Sequence, residues 1–327
     1  MFIIHLPYVC PDMEDFIFSI NAVAPLFILI VAGYAARQIN FVSDKFLSDA
    51  NRFVFKLLLP LMLFQNIRNA YHGNFTNTTL MCSSLVGVSV VIALSFCIVH
   101  LLIERRGQCG SMIQGIYRSN YLIYGMPLAT GMYGQEAAHS IAMLMCVMIP
   151  FYNIAAVVIL SVFSENRTKR ISIVQLLRDI VTNPLILGCM TGMLFGALNI
   201  GLPVMINKPV GELANAASPL ALFLLGGEFR FKNLNNNLWK VLSATVARLV
   251  IIPLVAMLAF IPMGFRTIDL SVLLCIFATP TGVSSYIMAG NMGCDGELSG
   301  QIVVLTTVGS CASIFLFIFV LRSMGMF

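Results

Sequence analysis

Charge is what this 327-residue chain has least of: Asp, Glu, Lys and Arg make up 10% of it, against about 25% in soluble globular chains. So few charges exclude a disordered chain and a water-soluble domain. The four histidines and nine scattered cysteines form no CxxC or Cys/His cluster, which excludes a metal centre and a disulfide scaffold. No HExxH, Ser/His or paired-Asp arrangement falls inside an apolar run, so an intramembrane enzyme is not expected. The net +5 reflects where the basic residues fall relative to the apolar runs, a topology signal rather than a nucleic-acid patch, so no nucleic-acid partner is expected. The N-terminus lacks a basic leader, and Asp12, Glu14 and Asp15 precede its first apolar run. That run is therefore read as a retained span rather than a signal peptide.

What the chain does have is apolar sequence, at 59%. A membrane helix needs about 20 mostly apolar residues. Ten windows meet that length: 16–36, 47–67, 80–103, 111–133, 137–163, 172–199, 209–227, 239–262, 268–290 and 298–322. Of the Lys and Arg residues, fifteen fall on the loops and helix ends of one side and four (Arg68, Lys208, Arg266 and Arg322) on the other. The positive-inside rule puts the rich side in the cytoplasm. Both termini are then extracytoplasmic, in a multi-pass plasma membrane protein whose short loops suit a bacterial inner membrane.

Self-comparison reveals a repeat. Ala24-Pro25-Leu26 with Gly33 recurs as Asn183-Pro184-Leu185 with Gly192. Pro60-Leu61-Met62-Leu63-Phe64 recurs as Pro219-Leu220-Ala221-Leu222-Phe223, and Gly131 with Gly134 recurs as Gly290 with Gly293. All three pairs share an offset of 159 residues. The expected units are 1–163 and 171–327, each with five spans. An odd span number inserts the second copy upside down, a common design in secondary transporters.

In each unit the fourth span carries the helix breakers: Gly125 and Pro127 in the first, Pro280 and Gly282 in the second. Proline removes a backbone donor and clashes with the preceding turn. Freed backbone groups at membrane depth need protein or a wet cavity around them. The expectation is that helices 4 and 9 are broken and crossed, with half-helix N-termini facing one midplane point. Each N-terminus carries about half a positive charge, which suits an anion.

These residues also carry a family likeness. Asn120-Tyr121-Leu122-Ile123-Tyr124-Gly125-Met126-Pro127-Leu128, followed by Met132-Tyr133-Gly134, is similar to the Asn-Thr-Leu-x-x-Gly-Ile-Pro-Leu and Met-Tyr-Gly of the auxin efflux carrier family. Asn51-Arg52-Phe53-Val54, Pro60-Leu61 and Pro280-x-Gly282 support it, and the resemblance runs through all ten spans. The chain departs from the family's pattern at Leu63 and Thr281, and its loop between spans 5 and 6 is short. The resemblance implies an all-α, ten-helix fold of two inverted five-helix repeats, like that of sodium/proton antiporters. It also implies a scaffold from helices 1, 2, 6 and 7 and a transport unit from helices 3–5 and 8–10, moving as an elevator. The implied substrate is a small organic carboxylate anion held by Asn120, with Asn153 on the fifth span as a second polar ligand, and the implied assembly is a homodimer.

Around that point Thr281, Ser284 and Ser285 offer hydroxyls, and Tyr121, Tyr124 and Tyr286 offer an aromatic wall. Arg118 is expected at the cytoplasmic edge, snorkelling to the interface. No acid lies in the central third of a span, so no carboxylate proton relay is expected. Uniport and sodium coupling stay open, and no cofactor or bound metal is expected. The functional expectation is a carrier for small organic carboxylate anions, with auxin-like weak acids among the candidates. Its alternatives are a dicarboxylate (malate or malonate) permease and a non-transporting membrane sensor.

Overall fold

A computed structural model describes residue 25 and residues 28–70, 77–165, 173–229 and 231–326. Among them every regular element is a helix, and one isolated antiparallel bridge joins Ser119 to Thr281. The first expected span, 16–36, lies mostly outside the described residues; its end is helix α1, residues 28–38.

Among the described residues five helices are long and apolar enough to cross a membrane: Thr78–Leu102, Met143–Phe163, Val204–Glu228, Asn237–Phe260 and Gly296–Ser323. They correspond to α4 (Thr78–Leu102), the end of α6 (Met126–Phe163), α9 (Val204–Glu228), α10 with α11 (Phe231–Val246, Ile252–Phe260) and α14 (Gly296–Ser323). Along α4, Val86, Val90, Leu94, Ile98 and Leu101 are exposed; an apolar surface of this kind belongs against lipid. The chain is an all-helical, multi-pass membrane protein.

The remaining windows are helices with interruptions. Window 47–67 is α2 (Asp44–Phe53), a wide π turn (Val54–Leu58) and α3 (Leu59–Ala70). Window 172–199 divides into α7 (Ile173–Thr182) and α8 (Pro184–Ala197) at Asn183, whose side chain caps α8 by accepting from the Leu185 amide. Pro184 then takes the first helical position, where a missing N–H costs little. Windows 111–133 and 268–290 break mid-way. α5 (Arg106–Tyr117) precedes a π turn (Tyr121–Gly125) that runs into α6, and α12 (Thr267–Ala278) precedes α13 (Ser284–Asn291). Gly134 inside α6 and Gly293 after α13 both take positive φ, 65° and 76°, a conformation open to glycine at little cost.

Each of the three π turns among the described residues precedes a proline. Val54–Leu58, Tyr121–Gly125 and Ala247–Ile251 each end two residues before a proline: Pro60, Pro127 and Pro253. A helical proline cannot donate backward and its ring crowds the preceding turn. A widened turn relieves that clash without breaking the helix.

Helix packing falls into two groups. α3 packs on α8 and α9, and α2 on α9; α5 packs on α4, α6 and α14, α12 on α6 and α11, and α13 on α14. Close approach in the first group depends on glycine. A Cβ on Gly33 would strike the Phe223 carbonyl, and one on Gly192 would lie 2.6 Å from the Phe64 carbonyl oxygen.

Candidate functional site

The two interrupted helices meet where they break. α5 ends at Tyr117, and Arg118 (φ −78°, ψ 107°) is extended; α12 ends at Ala278, and Thr279 (φ −71°, ψ 154°) is extended too. The extended segments pair. The Asn120 amide donates to the Pro280 carbonyl (2.8 Å) and the Gly282 amide to the Arg118 carbonyl (3.0 Å). Side chains reinforce the pairing. The Thr279 hydroxyl donates to the Cys275 carbonyl (2.7 Å), so Ser119 is the donor in its 2.6 Å contact with Thr279. The Thr281 hydroxyl donates to the Gly115 carbonyl (2.6 Å), and the Thr281 amide donates to Thr306 (3.2 Å). Thus backbone freed from two helices is satisfied by the other break, as membrane depth demands.

The second break holds Pro280 and Gly282, as their chemistry suggests. The first does not coincide with Gly125 and Pro127: it falls at Arg118–Asn120, while Gly125 closes the π turn and Pro127 lies in the first turn of α6. The π turn accommodates the proline, so no break is needed there.

A cavity of about 70 Å³ opens at this meeting point. Among the expected ligands Asn120, Tyr121, Asn153 and Ser284 line it, together with Gly282. Three others do not: Thr281 is engaged with Gly115, Ser285 is fully buried, and Tyr124 is buried towards Thr307. Arg118, Ser119 and Tyr152, unassigned or misplaced by sequence, complete the polar wall; Leu59, Met62 and Leu63 of α3 and Ser218 and Ala221 of α9 face it.

Arg118 requires a correction. It is 5% exposed, not at a membrane edge, and its Nη2 donates to Asn153 Oδ1 at 2.8 Å. The interface placement assumed an unbroken helix from Arg118 to Pro127; an extended segment turns the side chain inward instead. Asn153 is accordingly committed, since its Nδ2 also donates to the Ile149 carbonyl (3.0 Å). Arg248, counted in the sequence among loop charges, is also buried, at 1% exposure. Arginine stays protonated, so two cations lie in the interior where none was expected. By contrast the Asn120 Nδ2 and the Tyr121 hydroxyl are buried with no hydrogen-bond partner among the described residues. They line the same cavity as Arg118.

A second, larger cavity, about 390 Å³, lies further along the α2–α9 seam, lined by Asp44, Asn51, Glu228, Tyr286, Glu297 and Gln301 among others. There Asn51 Nδ2 donates to Glu228 and to the Tyr286 hydroxyl (2.7 Å), tying α2 and α9 to α13. Tyr286 is thus a link between helices and not a wall of the smaller cavity. At the same end of α5 and α6, Arg105 pairs with Glu165 (2.8 Å). The hydrogen bond and charge of Arg105 hold the Glu165 carboxyl below its ordinary value.

The sequence matches known proteins along nearly its whole length. The family described as "Membrane transport protein" matches residues 18–318. A protein of Rhizobium meliloti named "Putative malonate transporter" is 23% identical over 305 residues, covering 92% of this chain and 95% of that one. "Auxin efflux carrier component 8" of Arabidopsis thaliana is 30% identical over 130 residues, 38% of this chain and 35% of the plant protein. An "Uncharacterized transporter" of Methanothermobacter thermautotrophicus is 24% identical over 313 residues, 91% of this chain and 97% of the other. With interrupted helices meeting in a multi-pass helical protein and a family match across its length, the chain belongs to the membrane transport protein family of the auxin efflux carriers, and it is a membrane transporter.

Proposed function

We propose that the chain is a secondary carrier for small organic carboxylates, bound at the helix meeting point. One observation carries this reading: a buried guanidinium and two buried polar groups with no hydrogen-bond partner among the described residues, Asn120 Nδ2 and the Tyr121 hydroxyl, line one cavity. A buried unsatisfied donor costs about 1–3 kcal/mol, and a carboxylate supplies the acceptors that remove that cost. Arg118 would give the counter-charge, Asn153 would orient Arg118, and Ser284 would lie at the rim. Tyr124, Thr281 and Ser285 then act as supports of the site rather than as ligands.

Size bears on the substrate. At about 10–15 Å³ per water-sized group, 70 Å³ holds about five to seven groups. That fits a short mono- or dicarboxylate and falls well short of an indole ring. The relative named for malonate points the same way, so malonate-like acids rank ahead of auxin.

The movement proposed is an elevator. One wall belongs to the extended segment after α5 with Tyr121, to α6 and to the α12–α13 break, the facing and mostly apolar wall to α3 and α9. The first would travel with the anion as a unit (helices 3–5 and 8–10 of a ten-helix count) along a fixed scaffold (helices 1, 2, 6 and 7). An inverted repeat is supported by reciprocal contacts: Gly33 meets Phe223 while Gly192 meets Phe64, and each residue of one pair lies 159 positions from its counterpart in the other. Positive φ at both Gly134 and Gly293 fits the same offset. We further propose a plasma membrane location, bacterial in kind, with cytoplasmic basic loops, extracytoplasmic termini and a homodimeric assembly.

Charge movement in proteoliposomes on solid-supported membranes tests the reading. Malonate, malate, lactate, indole-3-acetate and benzoate are compared with and without sodium and a pH gradient. A saturable current with a short carboxylate, lost in Arg118→Gln, is the expected result. Equal currents in wild type and Arg118→Gln would remove the site as drawn.

A further inference from the structure

We infer that Arg248 is the positioning residue that locks the two interrupted helices into their anion-binding register, an inference that rests on the carrier reading above. Arg248 lies in the π turn Ala247–Ile251 ahead of Pro253, within a span and with no carboxylate partner among the described residues. Its guanidinium is shared between two helix ends. Nη2 donates to the Ile276 carbonyl (2.9 Å) and Nε to the Thr279 carbonyl (2.9 Å), both at the end of α12. Nη1 reaches the Ile116 and Tyr117 carbonyls (3.4 Å each), in the last turn of α5.

The electrostatics explain why an arginine is needed. The last carbonyls of a helix have no intrahelical donors, and each C-terminus carries about half a negative charge. Two C-termini buried side by side repel, and their sum is close to the charge of one guanidinium. Arginine's planar fork spreads five donors over a fixed geometry, which an ammonium on a flexible stem cannot reproduce. Arg248 does not line the cavity, so it acts through the register it sets. The residues just past the two C-termini are Arg118, Ser119 and Asn120 on one strand and Pro280 and Gly282 on the other. Holding both ends fixes the pairing of Asn120 with Pro280 and of Gly282 with Arg118, and with it the direction of the Arg118 and Asn120 side chains.

Two variants and two readouts test this. Arg248→Lys keeps the charge without the fork; Arg248→Met keeps neither. In proteoliposomes, Arg248→Lys is expected to raise KM for malonate by roughly tenfold or more while its maximal rate per folded transporter falls much less. In detergent, hydrogen exchange at the Asn120 and Gly282 amides is expected to accelerate in Arg248→Lys, with exchange in α4 and α9 unchanged. Arg248→Met is expected to show the larger effect in both. A residue serving stability alone would lower the folded yield and leave KM at the wild-type value. Wild-type KM and wild-type exchange in folded Arg248→Lys would overturn the proposal, whether or not Arg248→Met folds. The exchange readout needs no substrate. Wild-type protein that moves no carboxylate, with a crossing that still loosens in Arg248→Lys, would reject the carrier reading and leave the positioning role standing.

Discussion

Asn120 and Arg118 share one cavity wall; in the proposed carrier site the guanidinium would supply charge, and the amide a neutral donor that leaves the empty site no second charge to neutralise. Two substitutions separate these tasks. Asn120→Ala removes one hydrogen bond to a charged ligand, worth about 1.5–3 kcal/mol, and should raise KM for malonate by about tenfold to a hundredfold. Asn120→Asp puts a carboxylate beside Arg118, neutralises the site from within, and should abolish uptake altogether. Uptake into proteoliposomes measures both, and a functional Asn120→Asp would contradict the assigned role. The motif singles out Asn120 in the sequence, and the fold places it on the cavity wall. Arg118 and Arg248 are buried, against the expectation from loop charges, although each falls inside an apolar window. A charge at such depth is by default a functional group, and that signal was available. Their burial was hidden because counting loop charges assigns every arginine near a span end to the membrane surface.

Helix ends and turns set the next scale. Glu165 follows α6 and receives Arg105 from just before α5, while its own amide donates to the Gly293 carbonyl (2.8 Å) after α13. The lowered carboxyl pKa of Glu165 fixes the sign of its pH effect. Stabilisation from the pair is complete above the ordinary carboxyl value of 4.5 and is lost as pH falls through the lowered value. Thermal unfolding should therefore show wild type ahead of Glu165→Gln at neutral pH, with the gap closing in acid; a gap that is constant with pH would refute the pairing. The exposure of both side chains keeps the effect small. At the other link, Tyr286→Phe removes the hydroxyl that accepts from Asn51 and should cost about 0.5–1.5 kcal/mol. Unfolding in detergent reads that loss, and an unchanged midpoint would show that the α2–α13 link contributes nothing to stability. The prolines are plain in sequence, but which of them marks a break is not: Pro150, Pro209 and Pro219 lie inside α6 and α9. At the second break the Pro280 carbonyl accepts from the Asn120 amide, whereas the π turn ahead of Pro127 keeps that helix continuous.

Across the whole molecule, glycines decide how close the helices come. Gly192→Ala sets a methyl 2.6 Å from the Phe64 carbonyl oxygen on α3. Backbone cannot move aside as a side chain can, so a loss of about 1–3 kcal/mol is expected. Gly201→Ala, with nothing within 4 Å, is the control and should stay within about 0.5 kcal/mol of wild type. Detergent unfolding of the two side by side checks the prediction, and equal midpoints would mean that α3 and α8 do not pack as described.

The amino-acid sequence by itself determined the solvent of this protein, its helical class and its family, because apolar content, span length and a contiguous motif are properties of the chain alone. It also carried the 159-residue periodicity, since equal spacing needs no coordinates to be seen. Only tertiary structure decided where the first helix breaks, which polar groups share a cavity, and that Arg118 and Arg248 are interior. Each of those depends on which carbonyls and donors from distant segments come within hydrogen-bonding distance. Arg248 meets carbonyls 28 to 132 residues away along the chain, and no local spacing encodes such a meeting.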